Sequence, residues 1–110
     1  MPDLASRQAL PDGTAPRLSE AHIEELLLET PGWEVENGTL TREVQVKNFR
    51  AALALVNDIG QIAEQQNHHP DIAIFRWNHV RVELYTHTVE GLSENDFIMA
   101  AKFSDVLAAP

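Results

Sequence analysis

The chain contains no cysteine. That excludes disulfides, a thiolate nucleophile and thiolate-bound zinc or iron–sulfur clusters, and it suits a cytoplasmic setting. Long apolar runs are missing as well. No stretch approaches the roughly 18 apolar residues of a membrane span, and the N-terminus lacks a basic stretch followed by an apolar one, so neither a span nor a signal peptide is expected. Basic residues are scarce: 8 Lys and Arg stand against 17 Asp and Glu, for a formal charge of −9. The only local basic pairs, Lys47 with Arg50 and Arg76 with Arg81, are too scattered to face a phosphate backbone. Direct nucleic-acid binding is therefore not expected. Neither HxH nor HExxH spacing occurs, and no metal site is expected.

What is present suffices for one domain: 110 residues with a globular hydrophobic fraction of 44%, enough to close a modest core. Residues 1–17 hold Pro2, Pro11 and Pro16 without an apolar period. They read as a mobile leader before a single domain over 18–110. Ser19 caps a first helix to about Glu29, with Leu18 and Ile23 as a hydrophobic staple. Asn37-Gly38 signals a type I′ hairpin between Trp33–Glu36 and Thr39–Val46. Asn48 opens the longest helix, with Phe49, Ala52, Leu53, Val56, Ile59 and Ala63 at helical spacing. Pro70 enforces its end. Ile72–Trp77 and Val80–Thr86 read as two strands joined at Asn78-His79, and Ser93-Glu94-Asn95-Asp96 resembles a capping box opening a last helix. The order α-β-β-α-β-β-α predicts an α+β domain, a four-stranded antiparallel sheet with helices packed on one face.

The chemistry concentrates in Asn67-His68-His69-Pro70 and Thr86-His87. A two-residue turn at Asn78-His79 sets Trp77 against Val80, Phe75 against Val82 and Ala73 against Leu84. Continued, this register brings Pro70 opposite His87 and His69 opposite Thr88, so three imidazoles converge. A histidine pair at a helix end, taken alone, is an ordinary solvated cap; convergence with a third is what that plainer reading leaves unexplained. Three near-neutral proton carriers suggest proton transfer on a small molecule. Glu64, one helical turn before His68, is placed to orient an imidazole. The dipole at the helix C-terminus favours a protonated His68, and the start of the last helix favours a carboxylate at Asp96. Asp96 is also accounted for as a cap, while His22 and His79 read as solvated. The sheet face opposite Phe75, Val82 and Leu84 would show Ile72, Ile74 and Tyr85, an apolar patch suited to a subunit contact.

From Gly32-Trp33 to about Leu107 the chain resembles the pterin-4a-carbinolamine dehydratases. The resemblance rests on Ala63-Glu64 leading to His68-His69-Pro70-Asp71, then Trp77-Asn78-His79-Val80, Thr86-His87, Gly91-Leu92-Ser93 and Asp96–Ala101. It implies dehydration of a 4a-hydroxytetrahydropterin to quinonoid dihydropterin, with no metal or organic cofactor. It further implies His68 and His87 as the acid–base pair, with His69, Pro70 and Trp77 binding substrate and Glu64 and Asp96 in support. Thr88 and Asn95 stand where many animal members have an acidic residue and an arginine, and Asn67 replaces an aspartate of some relatives. Members are usually dimers or tetramers. The resemblance also implies an alternative with a protein client: a transcriptional coactivator, or a RuBisCO assembly factor of carboxysome-bearing bacteria.

Overall fold

The computed structural model describes residues 3–11 and 13–107. Along the chain run α1 (Glu20–Leu27), β1 (Glu34–Glu36), β2 (Thr39–Gln45), α2 (Phe49–Gln66), β3 (Asp71–Phe75), β4 (His79–Leu84) and α3 (Glu94–Leu107), with 3-10 turns at Leu4–Ser6 and His87–Val89. This is the expected α+β order. The strands form one antiparallel sheet, β1-β2-β4-β3. Among the described residues no helix is long and apolar enough to cross a membrane.

Local signals account for most boundaries. Asn37 and Gly38 both hold positive φ, 50° and 81°, and the hairpin they make pairs Glu36 with Thr39, as a type I′ turn requires. Ser19 Oγ accepts the His22 N–H, and Asn48 Oδ1 accepts the Ala51 N–H, each satisfying a free donor of a first helical turn.

One sheet face carries Leu40, Val80, Val82 and Leu84, all fully buried, with Ile72, Ile74 and Val44 around them. Against it α2 lays Ala52, Leu55, Ile59 and Ala63. The stripe expected on α2 is rotated: Phe49 and Leu53 are half exposed, at 50% and 45%, and Leu55 takes the inward position. Two apolar stripes overlap on this helix, and the Phe49–Leu53–Val56 one runs out at Gly60. The other continues to Ala63 and is the one the sheet covers.

The second hairpin differs from expectation. Phe75 pairs with His79, Ile74 with Val80 and Ile72 with Val82, leaving Arg76, Trp77 and Asn78 as a three-residue loop. Arg76 and Trp77 both sit in the left-handed region, φ 47° and 57°, which costs bulky residues about 1 kcal/mol or more each. Asn78 anchors the loop to β2: its Nδ2 donates to the Val46 carbonyl, and its own carbonyl accepts the Val46 N–H. Phe75 thus meets His79 rather than Val82, a shift of three residues. An odd shift reverses the faces of a strand. Ile72 and Ile74 therefore pack on the core, while Phe75 joins the outer face. That face is charged: Arg81 lies between Glu36, Glu43 and Glu83 at 3.4–3.7 Å. Desolvation pulls the Arg81 guanidinium down, but the charges of Glu36 and Glu83 and hydrogen bonds to Glu43 and Glu36 outweigh it and hold the group above its ordinary range. The apolar patch expected of Ile72, Ile74 and Tyr85 is not formed, and the subunit contact argued from it loses its surface.

Nor is the N-terminal segment free chain over its described residues. Asn95 to Ala100 are six consecutive buried residues of α3; no helix buries six in a row on one face, so cover must come from two sides. The sheet and α2 cover part of this surface, and the N-terminal segment covers the rest. Leu4 enters the core at 5% exposure, the Ala5 carbonyl accepts from Lys102 Nζ, and Arg7 pairs with Glu94.

Candidate active site

The end of α2 aims the first two histidines. Asn67 is left-handed, φ 52° and ψ 42°, and both its N–H and that of His68 turn back to the Ala63 carbonyl. This cap, ahead of Pro70, is what ends the helix. The chain then runs extended into β3, sending His68 inward and His69 outward, at 12% and 55% side-chain exposure. Asn67→Ala is expected to cost about 1 kcal/mol, and Asn67→Gly to be near neutral, because only the alanine opposes the left-handed backbone; urea denaturation measures both.

His68 is held by a buried carboxylate. Its Nε2 lies 2.7 Å from Asp96 Oδ1, and Asp96 is fully buried. Asp96 Oδ2 accepts the Ser93 N–H at 2.9 Å and the Thr86 hydroxyl at 2.7 Å. The Thr86 proton being committed to Asp96, Ser93 Oγ must donate to Thr86 Oγ1 across 2.7 Å. A carboxylate only accepts, so His68 Nε2 carries a proton, and in the neutral ring Nδ1 is then the acceptor. Asp96 thus caps α3 through Ser93 and orients His68 with its other oxygen.

Glu64 reaches His69 instead of His68, Oε2 to Nε2 at 2.5 Å, and both groups are exposed. The left-handed Asn67 turns His68 away from the helix face that Glu64 occupies. Solvent screens such a pair. Glu64→Gln is expected to change stability by under about 0.5 kcal/mol, read from the urea midpoint.

His87 comes from the 3-10 turn after β4, where Thr86 and Gly91 close the loop by mutual backbone hydrogen bonds. It is exposed, and its ring meets the Tyr85 ring edge-on at 4.9 Å. His68, His69 and His87 line one cleft of about 290 Å³ with Asn67, Tyr85, Thr86 and Thr88. The convergence expected of the three histidines is present, although the register that led to it is not. The cleft is small but of the order of a planar bicyclic ring. Larger hollows beside α1 and α2, about 480 and 670 Å³, contain no histidine.

Pro70 is half-buried beside the cleft and does not line it. Trp77 is not brought to the site within this chain. It stands 64% exposed at the hairpin tip, the full length of β3 away, about 17 Å at the rise of a strand. Tyr85 and Thr86 also line the cleft, and Ser93 hydrogen-bonds Thr86 and Asp96, contacts that the sequence alone does not announce. Their signal was position, next to His87 and before the capping Asp96. Among the described residues no group of three or more His, Asp or Glu converges as a metal site.

The family model for pterin 4 alpha carbinolamine dehydratase matches residues 16–106. The chain belongs to this family. A protein of Rubrobacter xylanophilus, provisionally named a pterin-4-alpha-carbinolamine dehydratase, is 43% identical over 104 residues, covering 93% of this chain and 96% of its own. One of Chloroflexus aurantiacus under the same name is 46% identical over 92 residues, covering 84% and 98%. Among solved structures, a transcriptional coactivator/pterin dehydratase of Brucella melitensis superposes with a TM-score of 0.77 at 31% identity, covering 83% of this chain and 98% of that one. A pterin dehydratase-like protein identified as a RuBisCO assembly factor of the alpha-carboxysome shares the fold, with a TM-score of 0.56 at 16% identity over 71% and 89%. The stretch matched to the pterin carbinolamine dehydratase family takes in every residue of the histidine cleft and begins after the segment that packs on α3.

Proposed function

We propose that the protein dehydrates a 4a-hydroxytetrahydropterin to the quinonoid dihydropterin. The observation that carries this reading is the buried Asp96–His68 pair at a cleft shared with His87 and His69, in a chain of the dehydratase family. The reaction breaks the C4a–O bond and removes the N5 proton. The leaving hydroxyl takes a proton and departs as water, and a C4a–N5 double bond forms. One acid and one base balance these steps, so no metal or organic cofactor is required.

Asp96 fixes the His68 ring and leaves its Nδ1 to exchange a proton with the ligand, which suits His68 to one of the two roles. His87, whose ring has no hydrogen-bond partner among the described residues, is free to meet the ligand from the other side as the second. His69, tied to Glu64 at the rim, presents an edge for holding the heterocycle and stabilising developing charge.

The test is direct. Purified protein is mixed with freshly generated 4a-hydroxytetrahydropterin, and loss of its absorbance is followed against buffer. Acceleration that survives a chelator is expected. No acceleration over the spontaneous reaction sinks the catalytic reading and leaves the cleft as a binding site.

A further inference from the structure

Of the two residues that meet in the His68–Asp96 pair, one follows the end of α2 and the other lies in the first turn of α3, and each helix is held by the same short piece of chain. Ala9 donates its N–H to Gln66 Oε1 at 2.8 Å. Gln66 is the last residue of α2, two before His68. The next residue, Leu10, donates its N–H to Asn95 Oδ1 at 2.7 Å and accepts from Asn95 Nδ2 at 3.1 Å. Asn95 is buried in the first turn of α3 and immediately precedes Asp96. Neighbouring α-carbons lie about 3.8 Å apart, so the dipeptide is a fixed spacer between the helix end that bears His68 and the helix start that bears Asp96. It is in turn fastened to α3 by the Arg7–Glu94 pair, the Lys102–Ala5 hydrogen bond and buried Leu4. Residues 3–15 lie outside the stretch matched to the family, which begins at residue 16.

We propose that Ala9-Leu10 is a positioning clamp for the active site: by joining Gln66 to Asn95 it fixes the separation of His68 and Asp96, and with it the orientation of the His68 ring. The His68–Asp96 bond is 2.7 Å long, and an added displacement of about 1 Å would break it. The clamp touches neither cleft nor ligand; Gln66 and Asn95 are positioning residues. Its catalytic consequence rests on the dehydratase reading, whereas its structural consequence does not.

The experiment uses the full chain and two readouts. The first needs no substrate: the His68 Nε2 proton, slowed in exchange by Asp96, is followed as a downfield resonance in proton NMR. The second is kcat and KM for 4a-hydroxytetrahydropterin. In the Gln66→Ala/Asn95→Ala double variant the resonance is expected to broaden away and kcat to fall about tenfold, with KM within about twofold, since ring placement is lost but the cleft is not. Gln66→Glu keeps an acceptor for Ala9 and is expected to retain both signals. Should the double variant fail to fold, Gln66→Ala is compared with Gln66→Glu alone. An undiminished resonance in the double variant, or equal resonances in that single pair, overturns the clamp. Loss of the resonance in variants of a protein that shows no dehydratase activity at all upholds the clamp and overturns the dehydratase reading.

Discussion

His68→Ala and His87→Ala should each lower the rate of 4a-hydroxytetrahydropterin dehydration by about 10²-fold, the loss typical of removing one proton-transfer group. The two are expected to differ in every other respect. His87 is exposed, with its ring edge-on to Tyr85, so its removal should leave the urea midpoint in place. His68 is mostly buried against Asp96, so its loss leaves that carboxylate short of a donor and should lower stability by about 1–2 kcal/mol. Stopped-flow absorbance with urea melts of the same preparations separates the two effects. An unchanged rate in both variants would remove these rings from the chemistry.

Asp96 carries the second large effect, and two substitutions divide it. In Asp96→Ala the Ser93 N–H, the Thr86 hydroxyl and His68 Nε2 all lose their acceptor. Buried groups stranded in this way should cost about 3 kcal/mol together, a large part of the roughly 5–15 kcal/mol available to a domain. Asp96→Asn keeps the volume and one acceptor oxygen. If that oxygen serves Ser93 and Thr86, the amide nitrogen faces His68 and forces Nε2 to become the acceptor. The proton then moves to Nδ1, the wrong tautomer for the proposed exchange. This variant should stay folded and yet lose at least about 10²-fold in rate. Nitrogen chemical shifts of the His68 ring report the tautomer directly.

How much of this was legible in the sequence depended on whether a residue type signals its own backbone. Asn37-Gly38, Ser19 and Asn48 do, and their turn and caps stand where expected. Arg76 and Trp77 do not: nothing in a bulky side chain announces a left-handed conformation. The hairpin register slipped there, and the supposed apolar outer face slipped with it. The α2 stripe was ambiguous because Ala and Leu recur on two overlapping faces, and only the sheet selects one. Glu64 does meet an imidazole, but that of His69 rather than of His68 one helical turn on, because the helix has already ended at Asn67. The leader's role was hard to see because, Leu4 and Arg7 apart, its ties to the helices are made by backbone groups of Ala5, Ala9 and Leu10, which leave no mark in composition. The histidine cluster survived the register error, since both segments enter the cleft from the open end of the same hairpin.

The contacts between the N-terminal segment and α3 also set the timing of folding. The Lys102–Ala5 and Leu10–Asn95 hydrogen bonds join residues 97 and 85 positions apart. During synthesis the residues around Ala5 to Leu10 emerge long before their partners exist, and such sequence-distant closures come late. Until α3 emerges, His68 has no carboxylate to face. Only when α3 clears the exit tunnel can the segment settle onto it, so completion of the fold and assembly of the site are one event.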